Sequence, residues 1–81
     1  MNRTLHYITV YGRIYAVETY PDVSMSTEGV YTEGVVAECI KFRNVLVFSE
    51  NEQNALLDIK ALLEIRIASL MKSVVQVVAK T

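Results

Sequence analysis

The side chains that could do chemistry are sparse, and their spacing argues against most of the chemistry they might suggest. His6 is the only histidine and Cys39 the only cysteine of the 81 residues. Acid–base catalysis requires a histidine to have a positioned partner, and sequence places none beside His6. It alternates with Ile8 and Val10 along LHYITVY, so a half-buried or edge-strand histidine is expected. Cys39 lies in an apolar run between Glu38 and Ile40. A reactive thiol needs a helix amino terminus or a nearby cation to lower its pKa, whereas a buried thiol behaves as a small hydrophobe. One Cys and one His also make neither a disulfide within the chain nor a structural zinc site.

The carboxylates carry no clearer signal. A two-metal nuclease of the RNase H type gathers several acids on neighbouring strands. Here Asp22 and Asp58 are the only aspartates, no D-x-D or D-x-E string falls on a strand segment, and Asp58 reads as part of a solvated helix face. The expectation is therefore a non-enzymatic protein without catalytic residue, metal or cofactor. All five tyrosines, Tyr7, Tyr11, Tyr15, Tyr20 and Tyr31, fall in the first 31 residues near Arg3 and Arg13. Such a set could stack bases on a sheet, which is the alternative reading. Yet strands favour tyrosine without any ligand, no RNP-like string is present, and eight Lys+Arg against nine Asp+Glu give a net charge of -1, which argues against phosphate-backbone binding.

The elements that must position these residues divide at Ser49. LHYITVY at 5 to 11 and IYAVETY at 14 to 20 have strand composition. Gly12-Arg13 between them suits either the centre of a type II′ turn or a bulge in one long strand. Pro21-Asp22 should end that segment, leaving 22 to 34 as a long loop or short hairpin in which Gly29 and Gly34 supply positive φ. GVVAECIKF at 34 to 42 and NVLVFS at 44 to 49 form a hairpin by proximity. Both faces of the first run are apolar, as in an internal strand.

Ser49-Glu50-Asn51-Glu52 spells a capping box with Ser49 as N-cap, and a helix should run from about 50 to 71 or 72. Ala55, Leu56, Ile59, Leu62, Leu63, Ile67 and Leu70 form its sheet-facing stripe. Arg66 within that stripe must either snorkel at the sheet margin or pair with a carboxylate, for which Glu18 and Glu38 are the candidates. Leu57, Ala61, Ile65 and Ala68 make a second apolar strip, expected to contact a partner. VVQVV at 74 to 78 reads as a last strand, folded back or exchanged between subunits, with Val75 and Val77 in the interface. The fold class is α+β: an antiparallel-rich sheet of three to five strands, one long helix and a short C-terminal strand.

The hydrophobic fraction of 52% and mean hydropathy of +0.27 are high for so short a chain. A domain of this size buries only roughly 60% of its unfolded surface, so a homodimer or tetramer is the expected supplement. The amino terminus lacks a secretory h-region, and NVLVFS and SVVQVVA fall well short of the ~20 residues that span a bilayer. A cytoplasmic location without membrane association is expected.

The stretch VVAECIKFRNVLVFSENEQNALLDIKALLEIRI at 35 to 67 resembles the HicB-type antitoxin domain. Val36-Ala37-Glu38-Cys39 matches its strand element, Ser49, Glu52 and Ala55 its helix start, and Ile59-Lys60 with Leu63-Glu64 the positions that follow. Lys41-Phe42-Arg43-Asn44 departs from the family's usual Leu-Pro-Gly turn, and Gln53-Asn54 from its second acid. The resemblance implies a partial RNase H-like fold without nuclease carboxylates, three strands followed by a helix and a last strand. It further implies a domain that masks a small RNA-cleaving toxin. The family's separate DNA-binding segment has no counterpart, so residues 1 to 81 are expected to be one interaction domain. The Tyr- and Val-rich character also resembles small proteins of crenarchaeal viruses, which implies no function.

Overall fold

A computed structural model describes residues 2 to 79, with side chains as far as Met71. Four strands, β1 (Thr4–Val10), β2 (Arg13–Met25), β3 (Tyr31–Cys39) and β4 (Leu46–Ser49), precede one helix, α1 (Glu52–Ala79). The strands form an antiparallel meander in the order β1-β2-β3-β4. The α+β class is as expected, and β3 is indeed internal. The expected last strand is not formed: residues 74 to 78 continue α1, because propensity for strand yields where a helix already propagates. Val75 and Val77 therefore lie on the helix, and their side chains fall outside the described residues.

Pairing in register fixes which side chains share a face. His6, Val17 and Cys39 lie abreast, as do Thr4, Thr19, Ala37 and Val47. Their face is covered by α1, whose Ala55, Ile59, Leu63 and Ile67 recur every fourth residue and are buried with Val10, Tyr15, Val17, Ala37 and Cys39 in one core. Leu70, placed in this stripe by periodicity, is about half exposed; the helix has run beyond the sheet by then.

Local geometry differs from expectation at three joints. The first hairpin turns on Tyr11-Gly12 between paired Val10 and Arg13, with φ of 49° and 76°. This is type I′ geometry, in which both central residues need positive φ, one residue earlier than the type II′ centre expected.

Pro21 does not end β2. Ala16 O accepts from Ile40 N, so even-numbered residues of β2 address β3. The Pro21 nitrogen faces the side where β1 has already ended at Thr4↔Thr19, and its missing donor costs no ladder bond. β2 and β3 thus continue as a two-stranded arm to Met25↔Tyr31, closed by a tight turn in which Gly29 takes φ of 83°. Gly34 has no positive φ. It is glycine for space, since a Cβ there would sit 2.5 Å from Phe48 Cζ and from the Ser49 carbonyl oxygen.

The helix starts differently as well. Asn51, not Ser49, is the N-cap: its Oδ1 accepts from Asn54 N at 2.8 Å, and its carbonyl accepts from Ala55 N. Ser49 is held in β4 opposite Val35, so neither it nor Glu52 serves the expected capping box.

Candidate functional site

Three polar residues from distant parts of the chain meet on the covered face at the start of α1. His6 on edge strand β1 and Thr19 on β2 are one step apart across the ladder, and the first residue of α1, Glu52, reaches down to both. His6 Nε2 lies 3.0 Å from Thr19 Oγ1, Thr19 Oγ1 donates to Glu52 Oε2 at 3.0 Å, and His6 Nε2 stands 3.5 Å from the same carboxylate oxygen. Thr19 is 2% exposed. A histidine, a hydroxyl and a carboxylate in line suggest nucleophilic catalysis, but the direction of the hydrogen bonds opposes it. A Thr19 proton committed to Glu52 leaves Thr19 Oγ1 as acceptor, so His6 Nε2 must donate; a general base would have to accept from the hydroxyl instead. The chain His6 to Thr19 to Glu52 acts as a clamp joining β1 and β2 to the helix start, and it satisfies a buried hydroxyl.

A second clamp lies alongside. Ser49 Oγ donates to Asp58 Oδ2 at 2.6 Å, tying β4 to the second turn of α1. Asp58 is thus engaged with the sheet and is not simply part of a solvated helix face. Cys39 is fully buried as a free thiol in the core. Among the described residues, no group of three or more His, Cys, Asp or Glu is disposed to hold a metal ion, and no helix is long and apolar enough to cross a membrane.

The opposite face of the sheet has no helix over it. Leu5, Tyr7, Ile14, Leu46 and Phe48 lie exposed there, around a central pair of carboxylates, Glu18 and Glu38, directly opposite one another across β2 and β3. Each acid has one local partner. Arg3 Nη1 approaches Glu18 Oε1 at 3.7 Å, and Tyr20 OH donates to Glu38 Oε2 at 3.1 Å. Arg3 also stacks over the Tyr20 ring, 4.2 Å from its centroid. The Tyr20 hydroxyl pKa is raised, first by loss of solvent and then by its hydrogen bond to Glu38, with the charges of Glu38 and Asp22 adding and that of Arg3 opposing. This placement corrects the expected partner of Arg66. Glu18 and Glu38 point away from α1, while Arg66 is exposed on the helix, lining a shallow cleft with Asn44 and Leu62.

The tyrosines are not brought together. Tyr7 and Tyr20 lie on the open face, Tyr15 is buried in the core against Phe42, Tyr11 occupies the first turn and Tyr31 the arm. Arg13 is the first residue of β2, while Arg3 is joined to Glu18 in the middle of that strand. Leu57 and Ile65 are 61% and 68% exposed on the outer side of α1, with Ala61 and Ala68 also exposed, so these four positions of the expected strip face solvent. Sequence reasoning missed the clamp and the open face. The clamp joins positions 6, 19 and 52, which only the fold brings together. The signal for the open face was present as two apolar sides on every strand segment. Comparison with family models, with curated proteins and with solved structures finds no match to the chain.

Proposed function

We propose that the chain is a non-enzymatic, HicB-like interaction module that self-associates and covers a partner protein. The observation that carries this reading is the open sheet face. Exposed apolar side chains set around Glu18 and Glu38 suit a partner that offers an apolar surface with a Lys or Arg at its centre, because desolvated carboxylates demand a cation. An antitoxin-like domain covering a small basic RNA-cleaving protein has this chemistry. The engagement of His6, Thr19 and Glu52 in a clamp supports a binding role over a catalytic one. The outer strip of Leu57 and Ile65, with Ala61 and Ala68, serves self-association.

Capture from the native cell tests the reading, using the unmodified protein and a variant carrying Tyr7→Lys and Ile14→Lys. The expected result is one small basic protein retained by the unmodified chain and lost from the variant. Recovery of the chain alone in both cases overturns partner binding. Oligonucleotide binding at low salt that disappears at high salt, with no protein captured, favours the tyrosine-based alternative with Arg3 and Arg13.

A further inference from the structure

The molecule is long for its size. Its radius of gyration is 15.4 Å and its greatest extent 53 Å, where an 81-residue globule has a radius of gyration of about 12 Å. Part of the excess is the arm of β2 and β3 beyond Pro21 and Val35, which has β1 on neither side and β4 on neither side. A two-stranded ribbon standing alone in water is marginal unless one face is covered. This arm has a largely apolar face to cover: Val23, Met25 and Tyr31 share with Glu33 the side of the sheet that α1 occupies further along. They are 51%, 60% and 71% exposed. Its other side carries Asp22, Ser24, Thr32 and Gly34.

Charge separates along the same axis. Between Arg13 and Lys41 the chain carries Glu18, Asp22, Glu28, Glu33 and Glu38 and no Lys or Arg, and the arm holds the middle three. At the far end of the sheet, the start of β2 and the β3–β4 loop bring Arg13 and Lys41 to one cavity beside the later turns of α1. That cavity, of about 330 Å³, is otherwise lined mainly by apolar side chains, among them Val10, Tyr15, Phe42 and Ile67, with Arg13 and Lys41 its two cations. That volume accommodates one or two side chains of the size of Met25 and Tyr31.

We infer that the acidic arm of one copy docks its apolar face into the basic-rimmed cavity at the opposite end of a second copy. Arm against arm would set carboxylates against carboxylates, so a symmetric arm-to-arm pair is rejected. The arm and the cavity are different surfaces, so the contact is heterologous and runs head to tail. It rests on the self-association proposed above but uses neither the outer helix strip nor the open face.

Sedimentation velocity in a Leu57→Glu, Ile65→Glu background, which removes the strip, isolates this contact. The background protein is expected to exceed its 9.1 kDa monomer mass and to dissociate as salt rises through the range where the Debye length falls below about 10 Å. Adding Glu28→Lys with Glu33→Lys, or Arg13→Glu with Lys41→Glu, should weaken association at least tenfold with circular dichroism unchanged. Mixing the two charge-reversed proteins should restore it, since a basic arm then meets an acidic rim. Charge-reversed proteins that associate as the background does, or a mixture that stays monomeric, overturn the docking. A monomeric background beside an oligomeric unmodified protein overturns the docking and leaves the helix strip standing. An unmodified protein that is itself monomeric overturns both.

Discussion

Both faces of the one sheet carry large apolar side chains, yet the two have opposite fates. On one side Ile8, Val10, Tyr15, Val17, Ala37 and Cys39 lie under α1; on the other Leu5, Tyr7, Ile14, Leu46 and Phe48 stay in water. Strand alternation cannot make this distinction, because apolar residues occupy both parities. What decides is the single long helix, which has one stripe to bury and so covers one face. Burial of apolar surface contributes roughly 25 cal/mol per Å², so stability belongs to the covered face. The open face keeps its apolar area available, and association is the use proposed for it above.

The sharpest way to break this comparison is to remove the cover. Ile59 and Leu63 are fully buried, and truncating a buried Leu or Ile to Ala costs about 2–5 kcal/mol. A domain of this size has only about 4–12 kcal/mol in all. The double variant Ile59→Ala, Leu63→Ala should therefore lose its cooperative thermal transition, while Ile14→Ala on the open face should change stability by less than about 0.5 kcal/mol. Thermal melts followed by circular dichroism compare them. Equal losses from the two would mean that the open face is covered in solution.

A smaller effect is expected where the open face has acquired a cover of its own. Phe48 lies over Gly34, and the ring lies close to Val36, which is 6% exposed although no helix reaches it. Gly34→Ala would press a methyl group into the Phe48 ring and the Ser49 carbonyl. Overpacking of this kind costs about 1–3 kcal/mol, read as a lower urea midpoint. An unchanged midpoint would show that ring and backbone can yield there without cost.

The same comparison explains how far the sequence could be read. β-branched and aromatic runs located all four strands, and the twofold apolar character of 34 to 42 correctly marked an internal strand. Propensity and motif failed where pairing in three dimensions outweighed them. Pro21 reads as a strand end only if both neighbours are present, and β1 stops short of it. Ser49-Glu50-Asn51-Glu52 offers two N-caps, and pairing of Ser49 with Val35 leaves the task to Asn51. Residues 74 to 78 have strand composition yet continue a helix already formed. Of the two fates that sequence allows Arg66, pairing with Glu18 or Glu38 fails because the parity of register turns both acids to the other face, and the side chain is exposed. The clamp of His6, Thr19 and Glu52 was illegible for a related reason, since its members become neighbours only when α1 lands across β1 and β2.

The smallest expected effect concerns the Tyr20–Glu38 hydrogen bond on the open face. Tyr20→Phe removes the bond and should cost about 0.5–1.5 kcal/mol near neutral pH. Its pH dependence follows from the raised Tyr20 pKa. Below about pH 10, the ordinary tyrosine value, the hydroxyl keeps its proton in both folded and unfolded chains, and its contribution is fully present. As pH rises past that value the unfolded chain releases the proton first, so the contribution declines until the native hydroxyl has ionised too. The stability gap between the unmodified protein and Tyr20→Phe, measured by urea unfolding, should therefore narrow from pH 9 to pH 11. A gap that stays constant would mean that Glu38 does not hold the Tyr20 proton, and that the carboxylate pair at the centre of the open face is less constrained than its geometry implies. A partner bringing a cation to that pair should remove part of the cause of the raised pKa, so binding and the alkaline behaviour of Tyr20 are coupled through one carboxylate.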